Sequence, residues 1–299
     1  FIRFADYFHV ASLANNHVMD FGEEGLKTTL EICNSLGLMT VGAGKNIHDA
    51  MAPIELSNIT IMAVCENEFG AAQAHKPGVA TTDNEQIIYD HIKRASRSNK
   101  FIVIFAHGGT EMMTIPPPYL RERYRLWIDY GADLIVGNHA HVAQGHEVYK
   151  DRYIFYSLGN FYFFDEAFSP YPDTSWSILL SVDIVTNEII IIPVKATHGN
   201  IIDISDDENI IQKYKQLCKQ LNSTAYIQQY SAEANKLYEK SYGRLSISSK
   251  HDAALLLHYL RCDAHRSIVE TALQSIIGEN VDQDQIPFLK RSSSKINRK

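Results

Sequence analysis

The sequence predicts an α/β fold, followed by a second, antiparallel sheet and a helical appendage. Up to about residue 141, hydrophobic strand patterns alternate with amphipathic helix patterns, which is typical of α/β layering. Two hairpin patterns come next, with turns at Lys150-Asp151 and Thr186-Asn187. From about residue 205 the pattern is helical, and its last long segment is amphipathic.

Each element of this fold rests on a local signal. The continuous apolar run FIVIFAH suits a strand in a sheet that is covered on both faces. The first helix has apolar residues at helical spacing and a stop signal at Gly37, the second is capped by Asp83, and the third begins at proline and ends at glycine. The predicted strands of the first part are residues 7–14, 38–44, 58–66, 101–107 and 133–139. The predicted helices are residues 22–37, 83–99, 118–131, 207–221, 224–241 and 250–277.

The 299 residues are enough for one large α/β domain with an appendage. We predict an α/β domain over residues 1–200, a helical appendage over residues 201–285 and a basic tail over residues 286–299. The last ten residues hold five basic groups and no aromatic residue, so a disordered tail is the simplest interpretation. A contact with a membrane surface or with nucleic acid is the alternative for this tail.

Composition excludes some classes of function. The formal net charge of -7 disfavours general nucleic-acid binding, and no apolar run approaches the roughly 20 residues of a membrane helix. The four cysteines are far apart and form no CxxC pair, so we interpret them as isolated thiols.

Polar clusters follow the hydrophobic strands at several points. Open α/β sheets bind ligands at the carboxyl ends of their strands, and imidazole nitrogens and amide oxygens are ligands of Zn, Mn or Fe. We therefore predict a metal-dependent, hydrolase-type domain. The clusters are Asn16-His17, His107, His139 with His141, and the segment from Ser157 to Asn160.

Each cluster also has a structural explanation. Asn16-His17 would cap the helix that begins near Gly22, and His107 would be a hydrogen-bonded core histidine. His139 and His141 would be surface loop residues. These alternatives stay open when the clusters are taken one at a time.

Taken together, the clusters lie in five longer stretches that match a known family in order and spacing over residues 7–195. The stretches are SLANNHVMDFGEEGLKTTLE, LGLMTVGAG with Ala50 and Pro53, FAHGGTE, DYGADLIVGNHAHVAQGHEVY and IFYSLGNFYF. The chain resembles the CapA-like, poly-γ-glutamate capsule biosynthesis family of the calcineurin-like metallophosphoesterase superfamily. This resemblance implies a four-layer α/β/β/α sandwich with a metal site along one edge. Ala140 stands where the family usually has proline, and Gly108 where tryptophan is common.

The resemblance also implies roles for the polar residues. Asn16, His107 and His139 would hold one metal, and His141 would belong to a second. His17, oriented by Asp20, would be the acid or electrostatic stabiliser beside the leaving group. The residues expected to line the substrate pocket are Glu111, Ser157 and Asn160.

The start of the chain departs from the superfamily pattern. The superfamily supplies an aspartate and a second ligand from its first strand and a bridging acid from its second, all before the position of Asn16. Only fifteen residues precede Asn16 here, so we expect an N-terminally incomplete domain with an impaired site. Two divalent ions (Mn, Zn or Fe) are expected in the complete protein and at most one in this chain.

Three functions are consistent with these residues and this resemblance. The first is a bacterial capsule biosynthesis protein with metal-dependent hydrolase activity in its complete form. The second is a non-catalytic scaffold subunit of a polymer synthesis or export complex, and the third is a general phosphoesterase. The expected partners are an anionic polymer or phosphoester substrate and capsule-synthesis proteins, with no nucleic acid.

Overall fold

Helices and strands alternate along much of the computed structural model, which describes residues 6–163, 172–197 and 200–278. The α/β class predicted from the sequence is confirmed. The basic tail predicted at residues 286–299 lies outside the described residues. Within the described ranges, no helix has the length and apolar content needed to cross a membrane.

The described chain divides into two units. The first comprises the residues up to His107 together with Leu126–Ile135, and the second comprises Gly108–Arg125 and the residues from Val136 onward. The boundary predicted near residue 200 stays a prediction.

The first unit contains the alternating α/β part of the chain. Its elements are β1 (Val10–Ser12), α1 (Gly22–Ser35), β2 (Met39–Val41), β3 (Ala43–Gly44), α2 (Ile47–Met51), β4 (Ile54–Glu55), β5 (Ile59–Cys65), β6 (Gly78–Val79), α3 (Glu85–Arg97) and β7 (Phe101–His107). Helix α4 (Pro118–Tyr130) and strand β8 (Leu134–Asn138) follow, and each contributes residues to both units.

The pairing of β5 with β7 organises the first unit. The two strands are parallel, with Ile59 opposite Phe101 and Cys65 opposite His107. Because parallel strands that start level also end level, the segments that follow Cys65 and His107 leave the sheet side by side. Strands β1 and β2 are also parallel, and they form a separate two-stranded sheet.

Helix α3 is amphipathic, with Ile88, Ile92 and Ala95 buried on one face. Its N-cap position is Asn84 rather than the predicted Asp83, whose carboxylate accepts a hydrogen bond from Asn67 at 2.5 Å. The prediction of Asp83 as the cap was therefore wrong, because a tertiary contact holds that side chain.

Helix α1 begins at Gly22 and ends at Ser35, close to its predicted bounds. Gly37 follows with a φ of 72°, a left-handed conformation that glycine adopts without steric cost. The glycine stop signal read from the sequence is thus confirmed.

The second unit carries the hairpins and the C-terminal helices. Its elements are β9 (His146–Tyr149), β10 (Arg152–Phe155), a short 3-10 helix (Pro172–Ser175), β11 (Ser177–Val182), β12 (Ile189–Thr197), β13 (Asn200–Asp203), α5 (Glu208–Leu221), α6 (Tyr226–Lys240), a 3-10 turn (Tyr242–Arg244), α7 (Lys250–Arg261) and α8 (Asp263–Ile277).

Both predicted hairpins form, but only one of them belongs to a second sheet. Strands β11, β12 and β13 form a three-stranded antiparallel sheet, as expected. The β9–β10 hairpin instead extends the main sheet, whose order is β4-β5-β7-β8-β10-β9. Ile154 and Phe155 in β10 are both fully buried, which suits an interior strand of a sheet covered on both faces. The four-layer arrangement of the sandwich stays a prediction.

The long helix predicted at residues 250–277 is interrupted. Cys262 has an extended backbone (φ -97°, ψ 127°) and is buried, and it separates α7 from α8. Asp263, the first residue of α8, accepts a hydrogen bond from the buried Arg123 at 2.9 Å and also pairs with Arg266. Helical periodicity continues through this point, so the sequence pattern gave no sign of the break.

A buried ion cluster holds β9 and β10 against α4. The carboxylate of Glu147 accepts hydrogen bonds from Arg121 at 2.7 Å and Arg125 at 2.5 Å. It also accepts one from the Tyr156 hydroxyl. Burial alone would raise the pKa of Glu147, but these three donors outweigh it and lower the pKa to about 2.

We expect Glu147→Gln to lower the free energy of unfolding by about 3 kcal/mol at neutral pH, because two arginines lose their buried counter-charge. The folded-state pKa is depressed, so this stability is present above the unfolded pKa of about 4.3 and is lost as pH falls toward about 2. Urea unfolding of both proteins across this range should therefore show the difference shrinking. The exposed Glu239→Gln is the matched control, and an equal loss there would contradict the prediction.

Candidate functional site

The first unit brings together polar side chains from three segments, here called the Asn16 group: Asn16, His17, Asp20, Glu68 and His107. Asn16 lies in the turn after β1, Glu68 in the turn after β5, and His107 is the last residue of β7. The parallel register of β5 and β7 explains why Glu68 and His107 lie at the same sheet edge.

Two of the predicted metal ligands in this group are in contact. The Oδ1 atom of Asn16 lies 3.1 Å from Nε2 of His107, and Asn16 is 6% exposed. The Nδ2 atom of Asn16 donates a hydrogen bond to Glu68 at 2.7 Å.

The donor set of Asn16 and His107 fits a divalent ion. Imidazole nitrogen and amide oxygen are accepted by Zn, Mn and Fe, with bond lengths of about 2.0–2.2 Å. Two ligands on one such ion lie roughly 3 Å apart. The hydrogen-bond contact of 3.1 Å between Oδ1 and Nε2 already holds the two atoms near this separation. The pair can therefore contribute two ligands to one ion with little rearrangement.

His17 and Asp20 form an exposed pair beside Asn16. Nδ1 of His17 lies 2.9 Å from Oδ2 of Asp20, with side-chain exposures of 66% and 53%. Such surface pairs contribute little to stability. The contact orients the ring, so that Nε2 of His17 points away from Asp20 and is available to exchange a proton with another molecule.

The second unit contains the remaining predicted site residues, here called the His141 group: Glu111, His139, His141, Ser157 and Asn160. The two histidines follow β8 and have φ values of 101° and 60°. Left-handed backbone costs a residue other than glycine about 1–3 kcal/mol and is concentrated at functional sites. The loop is held by hydrogen bonds from Gly108 to Asn138 and from Met112 to Ala140.

Side-chain contacts orient His141. Its Nδ1 lies 2.9 Å from Oδ1 of Asn160, and its Nε2 lies 3.9 Å from a carboxylate oxygen of Glu111. Donation by Nδ1–H to Asn160 leaves the lone pair on Nε2, and this is how an outer hydrogen bond selects the tautomer of a metal-binding histidine. The ring of His139 lies nearby, with its centroid 6.4 Å away.

Ser157 contributes to the shape of its own loop. Its side-chain oxygen accepts a hydrogen bond from the Gly159 backbone at 3.3 Å, and Ser157 is buried. Gly137 permits the close approach of this segment, because a Cβ there would lie 2.0 Å from the Tyr156 carbonyl oxygen. Substrate contacts of Ser157 and Asn160 stay predictions.

Glu68 is the one member of the Asn16 group that our sequence analysis missed. It follows β5 in the segment Cys65-Glu66-Asn67-Glu68, directly after a hydrophobic strand. His107 and His139 were predicted as ligands because each lies at the carboxyl end of a hydrophobic strand. Glu68 also follows such a strand, so the same argument applies to it. No histidine marks this position in the sequence, so the predicted ligands did not include it.

The fold and these two groups define an α/β protein with candidate metal ligands at the ends of its strands. Residues 5–165 match the family model described as "Bacterial capsule synthesis protein PGA_cap". That match covers more than half of the chain. The chain belongs to this family, which confirms the resemblance found in the sequence.

Curated relatives agree with this assignment. The chain is 37% identical over 163 residues to "PGA biosynthesis protein CapA" of Bacillus subtilis, covering 52% of this chain and 43% of that protein. It is 30% identical over 255 residues to "Capsule biosynthesis protein CapA" of Bacillus anthracis, covering 82% and 59%. A "probable polyglutamine synthesis accessory protein" of Mycobacterium tuberculosis is 27% identical over 169 residues, covering 51% and 44%. The chain thus spans about half the length of the curated relatives it matches.

We expect the neutral His141 ring to carry its proton on Nδ1, because Asn160 accepts a hydrogen bond there. Two-bond ¹⁵N–¹H NMR correlations of the imidazole nitrogens report the tautomer directly. In Asn160→Ala the Nε2–H form should gain population, since it is the commoner form in free imidazole side chains. Asn209→Ala, on the exposed start of α5, should leave the spectrum unchanged. An unchanged tautomer in Asn160→Ala would contradict this assignment.

Proposed function

We propose that this chain carries metal ligands of a hydrolase that acts in the synthesis of a bacterial capsule polymer. The observation that supports metal binding most directly is the 3.1 Å approach of Asn16 Oδ1 to His107 Nε2. The capsule assignment is supported by the family and by the names of the Bacillus and Mycobacterium relatives.

In this proposal Asn16, His107 and His139 bind one divalent ion, and His141 binds a second. Mn, Zn and Fe suit these ligands. Two ions are expected for the complete site and at most one for this chain. A bound divalent ion lowers the pKa of a water molecule and polarises a phosphoryl or carbonyl oxygen.

His17 would supply the proton that the leaving group needs. Asp20 holds Nδ1, so the proton in transit would be carried by Nε2, the ring atom that faces away from Asp20. The exposure of both side chains gives a large substrate access to this atom. Glu111, Ser157 and Asn160 are proposed to line the substrate pocket.

The substrate class is proposed to be an anionic polymer or a phosphoester. The name of one relative refers to PGA and that of another to polyglutamine synthesis, which supports a polymer of amino-acid residues as the substrate class. The chain itself has a net charge of -7, so attraction of an anion would depend on local positive charge, which a bound metal provides.

Metal stoichiometry is the first test of this proposal. We expect native mass spectrometry of this chain in manganese or zinc to show at most one bound ion, and the full-length Bacillus subtilis relative to show two. His107→Ala should remove the ion from this chain, because it takes away one of the ligand atoms of the Asn16 pair. His258→Ala, on α7, is a control that keeps the ion. Absence of metal from both wild-type proteins would remove the hydrolase proposal.

The acid role of His17 predicts a dependence on the leaving group. In a metal-loaded, active protein, the equivalent of His17→Ala should slow hydrolysis of phenyl phosphate by about 10²-fold or more. Hydrolysis of p-nitrophenyl phosphate should change much less, because nitrophenolate needs no proton to leave. The equivalent of His139→Ala should abolish the hydrolysis of both substrates. Equal losses for the two substrates in the His17 variant would contradict proton donation.

A non-catalytic subunit of a polymer-synthesis complex is the second candidate. It is favoured by exposed apolar side chains in the C-terminal helices, among them Leu257 at 52%, Ile276 at 70% and Ile277 at 65%. Polymer synthesis that persists with the equivalent of His139→Ala would support this subunit role over the hydrolase.

A further inference from the structure

Glu68 lies in a tight turn beside the Asn16 pair. The turn follows β5, and the backbone N–H of Glu68 donates to the Glu66 carbonyl at 2.9 Å. The neighbouring β7 ends at His107, opposite the last residue of β5. The carboxylate of Glu68 therefore approaches Asn16 from the same sheet edge as the imidazole of His107.

The contact with Glu68 decides which way the Asn16 amide faces. A carboxylate accepts hydrogen bonds and donates none, so the group 2.7 Å from Glu68 Oε2 must be the NH₂ of Asn16. The carbonyl oxygen is then left facing His107 Nε2 at 3.1 Å. If the Asn16 amide were rotated by 180°, its Oδ1 would face Oε2 of Glu68, and two acceptor oxygens would then lie against each other. The NH₂ group would face Nε2 of His107, which is the atom expected to bind the metal.

Close backbone packing fixes the distance between the two turns. Gly70 has a φ of 65°, and a Cβ at this position would lie 2.4 Å from Cγ of Met19. The Gly70 carbonyl is held in turn by the Val79 backbone N–H at 2.9 Å. The turn with Glu68 is thus packed directly against the turn with Asn16, and the hydrogen bond between them does not rely on two mobile loops.

We propose that Glu68 is a positioning residue of the metal site: its carboxylate locks the Asn16 amide so that Oδ1, and not Nδ2, is presented with His107 Nε2 to the ion. This inference rests on the proposed metal site and adds a residue to it. Glu68 acts through Asn16, because its Oε2 is engaged by the Asn16 NH₂ group. Partners that orient a ligand in this way typically affect metal affinity by 10–100-fold.

The test compares two substitutions at one position. Glu68→Gln keeps an acceptor oxygen for Asn16 but removes the charge, whereas Glu68→Ala removes both. With Mn²⁺ titrated calorimetrically into this chain, we expect Glu68→Ala to bind about 10–100-fold more weakly and Glu68→Gln to bind nearly as well as wild type. Glu31→Gln, on the exposed side of α1, is the charge-matched control and should leave binding unchanged.

A double-variant comparison separates positioning from direct ligation. If Glu68 acts through Asn16, Glu68→Ala should cost no further affinity in a protein that already carries Asn16→Ala. The metal-free proteins offer a readout that does not involve metal: the side-chain ¹⁵N–¹H₂ resonances of Asn16 should shift in Glu68→Ala and much less in Glu68→Gln. Thermal unfolding of each metal-free variant shows whether the fold is retained.

Three results would overturn the proposal. Unchanged Mn²⁺ affinity in Glu68→Ala would show that the amide needs no such partner. Equal weakening in Glu68→Gln and Glu68→Ala, or an additive loss with Asn16→Ala, would make Glu68 a direct ligand or a source of charge. Each of these results is obtained with a wild-type protein that binds the ion, so the proposed function would stand. Failure of this chain to bind Mn²⁺ would remove this role of Glu68, whereas the proposed function falls only if the full-length relative also binds no metal.

Discussion

The parallel pairing of β5 with β7 is the constraint on which the candidate site of the first unit depends. Its register sets Cys65 opposite His107, so the turn that contains Glu68 and the end of β7 meet at one sheet edge. Asn16 then completes the group from a turn that packs against Gly70. A shift of one residue in this register would send His107 to the other face of the sheet and separate its imidazole from Asn16.

The second unit is ordered by a different interaction, the buried charge cluster around Glu147. Two arginines from α4 and a tyrosine hydroxyl satisfy one carboxylate in an apolar setting, and they lower its pKa despite its burial. A cluster of this kind is costly to break because the two arginines would lose their buried counter-charge. It fixes α4 against β9 in the same unit that carries the His141 group.

Both groups of site residues follow the same physical design. In each, a polar neighbour contacts a side chain that is proposed to bind metal: Glu68 accepts a hydrogen bond from the amide of Asn16, and Asn160 accepts one from Nδ1 of His141. Such outer contacts fix orientation before any ligand arrives, which reduces the entropy lost on binding. Membership of the capsule synthesis family gives this arrangement a biological setting, and the proposed hydrolase chemistry gives it a testable role.

The sequence by itself determined the α/β class, the family, most element bounds and the strand-end residues Asn16, His107, His139 and His141, because these depend on local periodicity and on short motifs. Only the tertiary structure decided the break at Cys262, the sheet to which the β9–β10 hairpin belongs and the contact of Glu68 with Asn16. Each of these depends on contacts between distant segments: Asp263 with Arg123, the burial of β10, and Asn16 with Glu68. Local patterns carry no information about such partners, since the free energy that selects them arises only when the chain has folded.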